Sequence, residues 1–339
     1  MMDDISPRKR VVLAAVISMH TADGEPVGSK SLLLGQTPLN VSSATLRSEM
    51  AQLTDIGLLD QPHISAGRVP TLLGYKYFVH NLMRRPPLQD SERTEIYKLV
   101  HGFDSDPVRA AEEAAAKLSD ITGLVGIATT PENANLSVAH FKIMKAGRYN
   151  IAVIGITSAG GVKSRVCRIA SEITDAELAE IEQLLNRGLV FVSGIDITKD
   201  YLEGLRAGAD CYNAATAPIF EAARQTVVAA GEAQVFIKGS ENLLNFRELN
   251  LKEALGFLAN GNQIRNLSRR VGDAVTAFIG DETGYVYSDT LSVLLARYRV
   301  GNGLSGSVGV VGPLRMDYEY LVPRLQCFCN VLSDALISA

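Results

Sequence analysis

Arg84-Arg85-Pro86-Pro87 is the sharpest break in this 339-residue chain. Two successive prolines fix φ and offer no N–H, so no helix runs through them and the chain leaves stiff and extended. The 85 or so residues before the break must close a fold of their own, and a chain of this length exceeds one ordinary core. Val11, Val12, Ala15, Val16 and Met19 fall at helical spacing, which predicts a first helix over about 8–21. Residues 24–28 make a turn, Ser29 caps a short helix over 30–34 that stops at Gly35, and Pro38-Leu39-Asn40 make the next turn. Ser42 caps a third helix with Val41 and Leu46 as its hydrophobic staple, and Gly57 ends it. Residues 58–63 and 68–71 are predicted to pair as a hairpin, and Tyr75, Phe78, Val79 and Leu82 place a linker helix over 74–83.

The third helix carries two different faces. Leu46, Met50 and Leu53 share the core side; Ala44, Ser48, Ala51 and Asp55 lie opposite, flanked by Thr45, Arg47 and Gln52. Small side chains let a helix come close to base edges, alanine or threonine methyls suit thymine, and Arg47 can reach guanine or phosphate. The first-turn amides near Ser42 and Ser43 suit a phosphate oxygen. In the hairpin, Gly67 and Arg68 are expected at the tip, with Gly67 at positive φ and Arg68 projecting to phosphates or into the minor groove. Ser65 can donate to a phosphate, and His63 reads as a structural hydrogen-bonder beside them. An ordinary solvated helix also presents small and polar residues. The short helix before and the hairpin after turn the balance toward a winged helix-turn-helix that reads duplex DNA.

Charge agrees in a small way. Of the 33 Lys+Arg and 37 Asp+Glu, residues 1–85 hold 9 and 7, which leaves 24 and 30 beyond them. A mildly basic module on an acidic body fits a DNA reader attached to something else, and excludes a protein that coats nucleic acid by bulk charge. Cys167, Cys211, Cys327 and Cys329 are scattered, and the lone Cys327-x-Cys329 pair lacks the partners a metal site needs, so structural thiols in a reducing compartment are expected and no metal or cofactor. Arg8-Lys9-Arg10 before VVLAAVISM imitates a signal peptide, but a polar turn follows and helical spacing explains the run better. No segment reaches the roughly 18 apolar residues of a membrane span, so a cytoplasmic protein is expected. Gly301-Asn302-Gly303-Leu304-Ser305-Gly306 is a literal dinucleotide fingerprint in the wrong context: a strand, not a helix, follows it. The five histidines are dispersed and no catalytic motif occurs, so no enzymatic activity is expected.

Beyond the break the pattern is α+β. A helix opens at Asp106-Pro107 and ends before Gly123; strands are predicted at 141–144, 150–157 and 163–169, the last two joined at Ser158-Ala159-Gly160-Gly161. Helices follow at 174–187, 198–206 and 216–230, then a strand at 233–238 and a helix at 248–260. Strands return at 274–279, 292–298 and 307–311 before a C-terminal helix from about 318 to 336. Strands, then helices, then strands imply one antiparallel sheet domain in two segments, 88–170 and 265–339, interrupted by an α/β insertion over 171–264. The apolar helices of 174–230 are the expected interface between subunits.

PVGSK at 26–30, NVSSATLRSEMAQL at 40–53, GLLDQPHISAGRVPT at 57–71 and GYKYFV at 74–79, with FIGDE at 278–282 and GSVGVVGPLRMDYEYLV at 306–322, closely resemble the heat-inducible transcription repressor family HrcA. Ile64 stands where threonine is common, and Leu58-Leu59 where Tyr-Leu is usual. The resemblance implies a homodimeric repressor built of a winged helix, a GAF-like domain and an inserted dimerisation domain. It implies binding to the CIRCE inverted repeat of chaperone operons, with activity maintained by the chaperonin GroEL. A small-molecule-responsive GAF-type regulator is the alternative, by fold-level analogy.

Overall fold

The computed structural model describes residues 5–34, 42–104, 106–133, 136–158, 161–194, 196–207, 213–285 and 289–337, with the side chains of residues 199, 206, 207 and 302 outside the description. The staple residue Val41, the Pro38-Leu39-Asn40 turn, the Gly35 stop, the Ala159-Gly160 hairpin centre and Cys211 lie outside the described residues. Within them the protein is mixed α and β with antiparallel sheets. Two compact units form: one from residues 1–131 and 234–339, the other from 132–233.

The chain opens with α1 (Pro7–Asp23), capped by Ser6 and closed by Gly24 at φ 76. Its buried face is Val12, Leu13, Ala15, Val16 and Ile17, so Val11, expected in the core, is 42% exposed instead. After α2 (Ser29–Leu34) and α3 (Ser43–Asp55), a two-residue ribbon pairs β1 (Leu59–Asp60) with β2 (Val69–Pro70). Thr71 caps α4 (Leu72–Tyr77), which runs on into a π-helical turn over Phe78–Leu82. Past the prolines lies α5 (Asp90–Val100), opened by a Gln89/Glu92 capping box and absent from the expected elements. Next come α6 (Pro107–Thr122), with Asp106 as cap and Gly123 at φ 64, and β3 (Val125–Thr129).

The second unit then begins. β4 (Val138–Lys145), β5 (Asn150–Thr157) and β6 (Val162–Arg168) form an antiparallel meander. α7 (Asp175–Gly188), α8 (Lys199–Ala207) and α9 (Ala217–Gly231) follow. Phe141, Ile143, Ile151 and Val153 from the sheet share a core with Leu178, Ile181, Leu185, Phe220 and Val227 from the helices. The strands expected in the main sheet domain thus belong to this unit, because the alternation of β4 and β5 buries its apolar side under α7 and α9. The unit spans 132–233, against the expected insertion over 171–264.

Residues 234–264, expected inside the insertion, return to the first unit. β7 (Val235–Lys238) pairs with β3, placing Val235 opposite Thr129. After α10 (Leu251–Ala259) and α11 (Gly261–Arg270) come β8 (Thr276–Ile279), β9 (Leu291–Arg299), β10 (Ser305–Pro313) and α12 (Tyr318–Ile337). The five strands run β7-β3-β10-β9-β8, each pair antiparallel. Residues 301–303 form a short 3₁₀ turn between β9 and β10, in which Gly303 sits at φ 74. Both faces of this sheet are covered, which explains why β9 is buried almost continuously. Val293 and Leu295 face α10 and α11, while Leu294, Ala296 and Tyr298 face the layer of α6 and α12.

That second layer is continuous with the N-terminal helices: Val12, Leu46, Tyr75 and Phe78 join Ala114, Leu294 and Phe328 in one buried cluster. The Arg84–Pro87 break, expected to separate two folds, therefore lies within a single unit. Among the described residues no helix is long and apolar enough to cross a membrane, and no cluster of His, Cys, Asp or Glu could hold a metal.

Candidate nucleic-acid interface

α3 is set by its first turn. The Ser42 hydroxyl accepts from the Thr45 amide at 3.1 Å and meets the Thr45 hydroxyl at 3.0 Å. Ser43 meets Ser29 of α2 at 3.1 Å, which ties the two short helices together. Leu46, Met50 and Leu53 are buried as expected. Gly57 at φ 78 turns the chain out, with the Leu58 N–H returning to the Leu53 carbonyl at 2.9 Å.

On the other side Ala44, Arg47 and Ser48 are exposed and Ala51 is half-buried. The Gln52 amide donates to Ser48 at 3.3 Å, while Arg47 makes no side-chain hydrogen bond or ion pair among the described residues. One flank of the helix carries Glu49, held by Lys9 at 3.3 Å and Arg8 at 3.8 Å from the start of α1. Sequence spacing alone does not place these two cations beside the helix; in it Arg8-Lys9-Arg10 shows only as the imitation of a signal-peptide start.

The ribbon is arranged differently from expectation. Gly67 and Arg68 are at its base, not its tip. Arg68 forms an isolated antiparallel bridge with Val27, both backbone bonds being 2.9 Å. Gly67 has no positive φ; a Cβ there would meet the Val27 carbonyl oxygen at 2.4 Å, so glycine is required by close approach. The Arg68 side chain turns back to α3, Nε donating to Thr54 Oγ1 at 2.9 Å, and Thr54 in turn donates to the Met50 carbonyl at 3.0 Å. Arg68 thus fixes the ribbon to the helix. The tip is His63, Ile64 and Ser65, all exposed, with Ile64 at 99%. The Gln61 amide shapes the loop by donating to the carbonyls of Ile64 at 2.9 Å and Ala66 at 3.1 Å.

Behind the module, the sheet body grips it through residues that sequence spacing did not single out. Lys76 pairs with Asp281, and His80 Nε2 meets Glu282 at 3.2 Å. The hydrogen bond to Glu282 outweighs burial and raises the His80 pKa above 6.5. Burial pushes the Glu282 carboxyl up, but the bonds from His80 and the Ile279 amide hold it below the usual glutamate value. Asp281 is held low by its bond from Lys76. Arg315, paired with Glu248, donates to the Thr21 carbonyl at the end of α1 at 3.2 Å. Glu319 accepts the backbone N–H of Arg84 at 2.9 Å. His20 meets Tyr75 at 2.8 Å, and burial lowers the His20 pKa, helped by Arg315. The words FIGDE and GPLRMDYEY are therefore where the body holds the module, over separations of 200 residues and more.

Comparison with known proteins adds an independent line. The description of the HrcA protein C-terminal domain matches residues 109–322. A heat-inducible transcription repressor HrcA of Clostridium botulinum is 31% identical over 341 residues, 98% of each chain. The repressor of that name from Xylella fastidiosa is 32% identical over 339 residues, 98% of this chain and 96% of the other. The crystal structure of a hypothetical protein has the same fold over 99% of both chains, with a TM-score of 0.58 at 23% identity.

Proposed function

The chain belongs to the HrcA family of heat-inducible transcription repressors, and from that premise we propose that residues 1–85 are a winged helix-turn-helix reading the CIRCE inverted repeat of chaperone operons. The exposed face of α3 carries this reading: Ala44, Arg47 and Ser48 stand clear of the core while Leu46, Met50 and Leu53 anchor the helix beneath them. In it, Ala44, Arg47, Ser48 and Ala51 face base edges, and Ser42, Ser43 and Thr45 with the first-turn amides meet a phosphate. His63 and Ser65 at the ribbon tip and Arg68 at its base meet the flanking backbone, with Gly67 allowing the ribbon to close on Val27.

An inverted repeat calls for two heads, so the protein acts as a homodimer, with the sheet body in the GAF-like role and the 132–233 unit as the dimerisation element. The apolar sides of the helices in 174–230 are buried in that unit's own core. Its sheet offers the better self-complementary surface: Val162 and Val166 on β6 are 63% and 66% exposed, beside exposed Met144 and Ile156. Activity is sustained by the chaperonin GroEL and lost on heat stress, a part of the reading supported by family membership alone.

A gel shift on a chaperone promoter fragment, at fixed salt and with or without GroEL, tests both parts. Expected are a shift that a scrambled repeat does not give, stronger with chaperonin and lost after heating. Equal affinity for the scrambled fragment overturns the DNA reading; indifference to GroEL overturns the chaperonin part.

A further inference from the structure

α5, α6 and α12 lie together over one face of the five-stranded sheet without closing on one another. A cavity of about 210 Å³ remains above Val310 of β10, walled by Ile96, Leu99, Leu118, Leu325 and Phe328. The cavity opens to solvent at a charged rim, and its Leu, Ile and Phe walls suit small apolar guests, as apolar cavities in proteins do. Arg324 stands at the rim, paired with Glu92 and stacked 3.5 Å over the Tyr320 ring, and Glu95 adds a second carboxylate.

We propose that this cavity binds a small, uncharged, largely apolar molecule, one substituted ring or a chain of about eight carbons. Inside the rim the wall is mostly apolar, and the Thr122 hydroxyl on it already donates to the Leu118 carbonyl, so it offers little to a polar body. The rim works against an anion, which would have to break the Glu92–Arg324 pair and approach Glu95. A hydroxyl end can stay at the rim in water. Glu319, next to Tyr320 on α12, accepts the Arg84 N–H in the linker that leads from the N-terminal module into α5. An occupant that spreads α5 from α12 therefore pulls on that linker and changes operator affinity. This coupling rests on the DNA reading; occupancy of the cavity does not.

The full chain, without DNA, is titrated with the neutral fluorophore N-phenyl-1-naphthylamine, using 1-octanol and octanoate as competitors. One saturable site is expected, displaced by 1-octanol and about tenfold more weakly by octanoate. Ile121→Trp fills the mouth from a position 44% exposed, where a larger side chain is tolerated, and Leu99→Phe fills the interior. Each should weaken binding about tenfold or more with melting unchanged or raised. Absence of saturation, octanoate equal to octanol, or undiminished binding in Ile121→Trp overturns the proposal; should Leu99→Phe unfold, Ile121→Trp decides alone. A gel shift with octanol then tests the coupling: altered operator affinity supports it, and unaltered affinity with the cavity filled overturns it. An untreated chain that binds no operator counts against the DNA reading, not against the cavity.

Discussion

Arg47 and Arg68 sit in one small module yet have different work, because one guanidinium is uncommitted and the other is tied down. Replacing Arg47 with alanine should weaken operator binding by about 1–3 kcal/mol and leave random duplex almost unchanged, as loss of a base contact does. Competition gel shifts against both duplexes check this, and equal losses would remove Arg47 from the base-reading face. Arg68→Ala should weaken both duplexes alike, flatten the salt dependence, and also lower the melting temperature, since the bond to Thr54 goes with the charge. Gly67→Ala should cost about 1–3 kcal/mol of stability from overpacking against Val27, read by thermal unfolding. The α3 face was legible because helical spacing alone separates Leu46, Met50 and Leu53 from Ala44, Arg47 and Ser48. The places of Gly67 and Arg68 were not, since the bridge to Val27 joins residues some forty positions apart and leaves no local pattern.

At the scale of elements, α4 and its π turn are clasped to the body by Lys76–Asp281 and His80–Glu282. His80 has a folded pKa raised above 6.5, so its contribution is full below 6.5 and fades as the pH rises through the raised value. Glu282 is held low, so its contribution is present above 4.5 and is lost as the pH falls through the lowered value. His20 acts in the opposite sense to His80: kept neutral by burial, it destabilises the fold as the pH falls through its lowered value. His80→Gln should therefore shrink the loss of melting temperature between about pH 6 and pH 8, while His20→Gln leaves that loss in place or deepens it. Melting curves of the two variants separate the histidines. Most elements here were legible: β5 matches its expected span, and α7, α9 and α12 lie within a residue or two. α5 and α11 escaped because their surfaces are mostly polar, with only a few buried side chains such as Ile96, Val100, Ile264 and Leu267. β3, Val-Gly-Ile-Ala-Thr, is short, small and buried on both faces, so it shows no alternation.

For the whole molecule, division into units followed packing and not proline. Pro86-Pro87 stop a helix, as their chemistry requires, but buried side chains close over the gap and leave one continuous core. The second unit's exposed sheet face suggests a test at this scale: if it forms the proposed dimer interface, Val166→Asp should shift the protein from dimer to monomer by analytical ultracentrifugation and reduce affinity for the proposed full inverted repeat to that for a half-site. A charged face that leaves the dimer intact would move the interface elsewhere. The second unit also hangs from the first in an unusual way. It leaves and returns between two strands that are already partners, with Val235 opposite Thr129 and Thr130 and Gln234 joined by two bonds of 2.9 Å. Topologically it is an overgrown hairpin loop, so the first unit's strand order does not depend on it. Evolution could lengthen, trade or discard that cassette while the N-terminal module and its sheet stayed in register. Excising residues 132–233 and closing the gap with a short Asn-Gly turn should yield a folded, solitary head, its integrity visible in an intact cooperative melt.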